Sequence, residues 1–145
     1  MDKVNFLNCG VTITPQRQIF HPKGDILHVL KATDESFAEF GEAYFTTVHA
    51  GETKGWKKHT LMTMNIVVPI GEVTFYFRGE ASNEIESVLI GAKKYSRITI
   101  PPGIWVAFSG GAFPINLVLN VASIPHDPTE AVNVALETFP IGYVE

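Results

Sequence analysis

The chain has 145 residues, of which 46% are hydrophobic and 18% are charged. This length and composition fit one domain with its own core and argue against extensive disorder. The net charge of -4 provides no basic surplus for a nucleic-acid backbone, and the single cysteine, Cys9, excludes a disulfide framework and a Cys-rich zinc site. We therefore expect one soluble domain over residues 1–145, in the cytoplasm, with neither a membrane nor a nucleic acid as partner.

Most apolar residues recur at a period of two, which predicts β-strands. These segments are rich in Val, Ile, Thr, Phe and Tyr, the residues that favour a pleated surface. In chain order, the predicted strands are residues 45–48, 62–70, 73–77, 85–90, 98–100, 104–108 and 115–124. Turn signals rich in Gly and Pro separate them. Short strands with frequent turns predict an all-β sandwich or barrel.

Two short segments carry a helical signal instead. Residues 34–40 are long enough for one or two turns. Residues 129–136 follow Pro128, and proline is common at a helix start. We expect short helices at both places.

The run from Lys57 to Val68 is the most informative segment. As a single strand it has two distinct faces, because side chains alternate. One face is polar and carries Lys57, His59, Thr63 and Asn65. The other is apolar and carries Met62, Met64, Ile66 and Val68. The apolar face should be buried against a second sheet or another subunit, whereas the polar face either lines a ligand pocket or is the solvent face of a sandwich.

Four segments, in order and spacing, resemble a known family. They read GEAYF at 41–45, KGWKKH at 54–59, IPPGIW at 100–105 and IPHDPTE at 124–130. The sequence resembles the short cupin proteins related to dTDP-4-dehydrorhamnose 3,5-epimerase, the RmlC-like cupins, from about His21 onward. The resemblance implies an all-β cupin jelly-roll barrel with one or two short helices. It also implies a homodimer that acts on nucleotide-linked keto sugars without a cofactor.

The family's chemistry begins at the carbonyl on sugar C4, which acidifies the protons on C3 and C5. A His base removes one proton, and an acid, commonly a Tyr, returns a proton to the opposite face. In this sequence the base position is Lys57, and a second His position of the pocket is Val106. His59 matches the second His of the H-x-H pair in the related 3,4-ketoisomerases. Lys57 is then a base, a cation for a ligand phosphate or carboxylate, or a solvated lysine.

Other residues are candidates for the same site. Tyr76, with Arg78 on its face of the predicted strand, is either a candidate acid or sugar hydrogen-bond donor or an ordinary half-exposed strand tyrosine, and Tyr44 has the same two interpretations. Lys23 lies in the turn where the epimerases carry a residue that contacts the nucleotide diphosphate. Candidate ligand-binding residues of a polar lining are Thr63, Asn65, Asn116 and Asn120. Trp56 and Trp105 alternate with the pocket positions and should pack outside the barrel.

A metal site is not expected. A metal-binding cupin places His-x-His and then Glu in its first motif and a His in its second. Here these positions hold Lys57, His59, Thr63 or Met64, and Val106, so one good ligand is present.

The resemblance favours an epimerase or isomerase of a dTDP-linked 4-keto-6-deoxy sugar, serving the synthesis of a surface polysaccharide or a deoxysugar. Three alternatives remain open from the sequence. One is a sugar 3,4-ketoisomerase. Another is a non-catalytic cupin that binds a nucleotide sugar or another small ligand. The third is a structural dimer that binds no ligand.

Overall fold

The structure is a computed structural model that describes residues 3–80 and 82–142. The described residues are almost all in strands and turns. The strands of the larger sheet are β1 (Asn5–Phe6), β2 (Thr12–Pro15), β5 (Glu42–Thr47), β7 (Met64–Ile70), β10 (Ser96–Ile100) and β12 (Leu117–Ala122). The smaller sheet contains β6 (Thr53–His59), β8 (Glu72–Arg78), β9 (Glu86–Gly91), β11 (Trp105–Gly110) and β13 (Ala131–Asn133). A separate hairpin is formed by β3 (Gln18–Ile19) and β4 (Ile26–Leu27).

The two sheets are antiparallel and face each other, as in a jelly-roll barrel. The six-stranded sheet has the order β1-β2-β10-β7-β12-β5, and the five-stranded sheet has the order β13-β6-β11-β8-β9. Successive strands cross repeatedly from one sheet to the other, so residues distant in sequence become neighbours. The prediction of an all-β cupin barrel is confirmed.

The main core fills the space between the sheets. In β8, Val73, Phe75 and Phe77 are fully buried and alternate with partly exposed residues, as expected for a strand with one inner face. The rings of Phe75 and Phe77 stack with centroids 6.3 Å apart. Burial of each large apolar side chain contributes about 1.5–3 kcal/mol.

A second apolar cluster lies on the outer face of the five-stranded sheet. It is built on Trp56 and Trp105, and Phe139 of the C-terminal segment packs against both rings. Trp56 Nε1 donates to the carbonyl oxygens of Leu136 and Phe139. The prediction that both tryptophans pack outside the barrel is confirmed, and the cluster fastens the C-terminal segment across the sheet.

The prediction of helices at residues 34–40 and 129–136 is wrong. Residues 34–40 form turns, and residues 129–136 contain β13. The helical element of the described chain is a single 3-10 turn, Leu136–Thr138. In the described residues, no helix has the length and apolar character needed to cross a bilayer.

Residues 28–40 instead form a strap over the outer face of the six-stranded sheet. Buried Arg97 donates to the carbonyl oxygen of Val29, to Asp34 and to the Ser36 hydroxyl. These tertiary bonds tie the segment to the sheet, and they explain why its weak helical signal is overridden.

The interpretation of residues 57–68 as one strand is also wrong. The chain leaves the five-stranded sheet after His59 and enters the six-stranded sheet at Met64. The four-residue corner resets the alternation, so Lys57 and His59 face the barrel interior while Asn65 faces outward. The Met64 and Ile66 side chains lie in the core between the sheets, as predicted for the apolar face.

Candidate functional site

A pocket of about 290 Å³ lies between the two sheets, beside edge strand β5 of one sheet and strand β6 of the other. The six-stranded sheet forms one wall with Tyr44, Thr46, Met64, Ile66, Val118 and Asn120. The five-stranded sheet forms the other wall with Lys54, Gly55, Lys57, His59, Phe75, Val106, Phe108 and Asn133. The pocket therefore combines an apolar interior with a few polar groups, the usual composition of a small-molecule site.

A β-bulge brings both lysines of β6 into this lining. Lys57 pairs with Val106 and Lys54 pairs with Phe108, so three steps along β6 match two along β11. Strict alternation would place the two lysines on opposite faces. At the bulge, Gly55 has φ +151° and packs so closely on Ala107 that a Cβ atom would lie 2.5 Å from the alanine Cβ. Glycine is required there by both conformation and space.

His59 is held from behind by Glu130. The His59 ring is buried and lines the pocket, and its Nδ1 forms a buried hydrogen bond with Glu130 Oε1. Because an ionised carboxylate accepts, Nδ1 carries a proton, and Nε2 is the ring nitrogen that Glu130 leaves free. The arrangement fixes both the tautomer and the orientation of the imidazole.

Both oxygens of the Glu130 carboxylate accept hydrogen bonds. Its second oxygen accepts from the backbone amides of Thr60, Leu61 and Met62, at 3.1–3.3 Å. Burial alone would raise the pKa of Glu130, but the hydrogen bonds from His59 and from the corner amides overcome it and lower the pKa. Glu130 is therefore an anion at neutral pH, although it is only 4% exposed.

Tyr44 and Asn120 form the polar part of the opposite wall. They are direct partners across the β5–β12 ladder, and Asn120 Nδ2 donates to the Tyr44 hydroxyl at 3.0 Å. Tyr44 is 39% exposed, whereas Asn120 is 4% exposed and its Oδ1 has no hydrogen-bond partner in the described structure. The tyrosine thus reaches the pocket from a rigid sheet position.

The charge of the pocket is positive. Lys54 Nζ donates to the Thr47 carbonyl oxygen at 2.9 Å, and the Lys57 ammonium forms no hydrogen bond or ion pair within residues 3–80 and 82–142. No carboxylate is among the lining residues of the described chain. The site therefore suits a ligand with an anionic group, although the whole chain is acidic.

Of the predicted catalytic residues, Lys57 and His59 are together in the pocket and Tyr76 is not. Tyr76 packs against the tryptophan cluster on the outer face of the five-stranded sheet. Arg78 lies on that side too, with its guanidinium 4.1 Å from the centroid of the Phe139 ring. The two side chains share one face of β8, as predicted, but this is the outer face of the sheet and not the face that lines the pocket.

The predicted polar lining is wrong for two of its three asparagines. Asn120 lines the pocket. Asn65 lies on the outer side, where it donates to the Ser36 carbonyl and accepts from Thr99. Asn116 lies before β12 and joins three loops, for example by accepting from the Glu72 amide. Both are saturated by the protein and stabilise the fold.

Thr63 and Lys23 also lie away from the pocket lining. The Thr63 amide donates to the Ser123 hydroxyl in the corner before β7. Lys23 is exposed in the turn of the β3–β4 hairpin, as the turn prediction required.

Four residues at the site were not predicted from the sequence: Thr46, Lys54 and Asn133, which line the pocket, and Glu130, which contacts His59. Glu130 lies within the family-like segment 124–130, so the resemblance contained a usable signal. Its pairing with His59, 71 residues earlier, depends on the ladder between β13 and β6. Within the described ranges, no group of three or more His, Cys, Asp or Glu residues is arranged to hold a metal ion.

No family model and no curated protein matches the sequence. Solved structures do match. A dTDP sugar isomerase from Desulfovibrio desulfuricans G20 is 30% identical, with a TM-score of 0.86 over 92% of this chain and 90% of that chain. The chain belongs to the RmlC-like cupin family.

Two more distant structures share the RmlC-like cupin fold. The rmlC epimerase of Mycobacterium tuberculosis is 17% identical, with a TM-score of 0.82 over 98% of this chain and 78% of that chain. The sugar 3,4-ketoisomerase QdtA of Thermoanaerobacterium thermosaccharolyticum is 18% identical, with a TM-score of 0.72 over 84% and 86%. The fold of this chain is therefore similar to that of an epimerase and to that of a ketoisomerase.

Proposed function

We propose that this RmlC-like cupin is an epimerase of a dTDP-linked 4-keto-6-deoxy sugar, with His59 as the base and Tyr44 as the acid. The 30% identity to a dTDP sugar isomerase supports the substrate class. The observation that carries the proposal is the buried pair of His59 and Glu130 on the wall opposite Tyr44.

The two walls explain inversion at carbon. A sugar ring between the sheets has His59 on one side and Tyr44 on the other, because the two residues belong to opposite sheets. His59 Nε2 takes the proton from the carbon beside the ketone, and the C–H electron pair moves into an enolate. Tyr44 then gives its hydroxyl proton to the opposite face of that carbon, which restores the ketone with inverted configuration.

Glu130 supports the base in this scheme. When His59 accepts the substrate proton, the imidazolium remains hydrogen-bonded to the Glu130 anion and its charge is compensated in a buried place. His59 afterwards loses the proton to solvent, and Tyr44 regains one, so the enzyme returns to its starting state.

Lys57 is the proposed cation of the site rather than its base. Lys57 lies in β6, two residues before His59, and lines the same pocket. A fixed ammonium beside the reacting carbon stabilises negative charge that develops on the ketone oxygen, the kind of interaction that strengthens in the transition state. Val106, its neighbour on β11, makes the adjoining surface apolar, and this suits a deoxy sugar.

The proposal includes a homodimer in the cytoplasm. Phe40 and Phe45 are 66% and 65% exposed on or near edge strand β5, which supports a covered surface there. A single cysteine in the sequence supports a reducing compartment.

The test is proton exchange. The protein is incubated with dTDP-4-keto-6-deoxyglucose in heavy water, and the C3 and C5 protons are followed by NMR. We expect deuterium at one or both carbons together with an inverted product. Exchange with transfer of the ketone to C3 would instead show a 3,4-ketoisomerase, and binding without exchange would show a non-catalytic cupin and contradict the proposal.

A further inference from the structure

Asn120 is an unusual residue for its position. It lies in β12 between β5 and β7, only 4% exposed, and its same-face neighbours Val118 and Ala122 are apolar. Only one end of its amide is hydrogen-bonded, because Nδ2 donates to Tyr44 while Oδ1 has no partner in the described chain. A buried amide with an unpaired oxygen costs about 1–3 kcal/mol compared with a satisfied group. An apolar residue would therefore suit the fold better.

The benefit of this residue lies in the direction of its one hydrogen bond. Because Asn120 Nδ2 is a donor, the Tyr44 oxygen accepts and the tyrosine's own proton is left for another acceptor. The phenol oxygen becomes an anion after it gives up that proton, and the same amide N–H then donates to a charged acceptor, a stronger bond.

We propose that Asn120 is a positioning residue that directs the Tyr44 proton into the pocket and supports the phenolate left after proton donation. This inference rests on the proposed function and deepens it, since it assigns the delivery of the second proton to a residue pair. Asn120 acts through Tyr44 and leaves the first step, proton removal by His59, unchanged.

The decisive readout is the fate of the enolate. Without effective acid on the second wall, His59 returns a proton to the original face, and heavy water then labels the substrate without inverting it. Asn120→Leu keeps the branched shape and removes the donor. We expect it to lower the ratio of inverted product to labelled, uninverted substrate by about 10- to 100-fold, within the range of general acid catalysis.

A double-mutant cycle shows whether Asn120 works through Tyr44. In a Tyr44→Phe background, Asn120→Leu should leave the ratio unchanged, because the hydroxyl it positions is already absent. Asn65→Leu is the matched control. Asn65 is a buried asparagine on the outer side of the same sheet, with both ends of its amide bonded. Asn65→Leu should lower the melting temperature and leave the ratio of inverted to uninverted sugar unchanged. Asn120→Leu should not lower the melting temperature.

Three results are informative. A reduced ratio in Asn120→Leu that disappears in the Tyr44→Phe background supports the inference. An unchanged ratio, or equal effects of Asn120→Leu with and without Tyr44, overturns it while the epimerase proposal stands. If the wild-type protein neither exchanges nor inverts the sugar, the proposed function and the role of Asn120 are both overturned.

Discussion

Glu130 contacts His59 Nδ1 with one carboxylate oxygen and the backbone of the β6–β7 corner with the other. One side chain thus sets the tautomer of the pocket histidine and fixes the point at which the chain changes sheets. The proposed base is consequently attached to the framework of the barrel rather than to a flexible loop.

Glu130→Gln should impair catalysis more than ligand binding. An amide cannot accept from His59 and from the corner amides as a carboxylate does, and it does not compensate an imidazolium. We expect the exchange rate to fall by about 100- to 10,000-fold, the usual contribution of a positioned base. The affinity for dTDP, measured by calorimetry, should stay within a few-fold of wild type, and equal losses of both would contradict the assigned role.

Glu130 should also make stability depend on pH in the acidic range. Its pKa is lower in the folded protein than its ordinary value of 4.5. Its contribution to the free energy of unfolding is therefore complete above about pH 4.5 and is lost as the pH falls through the lower, folded-state pKa. Thermal melts from pH 7 to 3 should show the gap between wild type and Glu130→Gln narrowing on acidification. A gap that widens would show the opposite sign of the pKa shift.

Lys57→Met should separate the two cationic roles of Lys57. The substitution keeps most of the side-chain length and removes the charge. If the ammonium stabilises the enolate oxygen, the exchange rate falls by about 100-fold, and the affinity for dTDP alone changes little. Lys57→Arg, which keeps the charge in a wider group, should retain part of the rate. A matching loss of dTDP affinity would assign Lys57 to the diphosphate.

Tyr44→Phe should uncouple exchange from inversion. The variant keeps the ring in the wall and removes the acid, so His59 still forms the enolate. NMR in heavy water should show labelled substrate with little inverted product. Inversion at the wild-type rate would remove Tyr44 from the mechanism.

Gly55→Ala should disturb the pocket through the β6 bulge. The new methyl group would lie 2.5 Å from the Ala107 Cβ, on a backbone with φ +151°. We expect a loss of more than about 1 kcal/mol of unfolding free energy and a reduced exchange rate, measured by denaturant unfolding and NMR. The double variant with Ala107→Gly should recover part of the stability, because it removes the steric clash but not the backbone strain.

The strands and the tryptophan cluster could be predicted because period-two patterns depend on local sequence. Val73, Phe75 and Phe77 show this directly: alternate residues of one strand face the core. The corner at residues 60–63 could not be found in this way, because the apolar pattern continues through it. The corner is stabilised by the distant Glu130 carboxylate, which accepts hydrogen bonds from three successive backbone amides.

The candidate site was predicted in part for the same reason. Lys57 and His59 were assigned together because they are two residues apart on one strand. Tyr76 was misassigned because alternation separates two faces without showing which is the inner one. Asn65 was misassigned because the corner at residues 60–63 resets the alternation. Tyr44 and Asn120 become a pair only through the β5–β12 ladder, which joins residues 76 positions apart.

The pairing of β13 with β6 has a consequence for biosynthesis. Glu130, which orients His59, is translated 71 residues after it. A ribosome-bound chain can complete many strands of the barrel while its imidazole still lacks a fixed tautomer. The proposed base is therefore oriented only after residue 130 has been translated, and translation products that stop before it lack the carboxylate partner of His59.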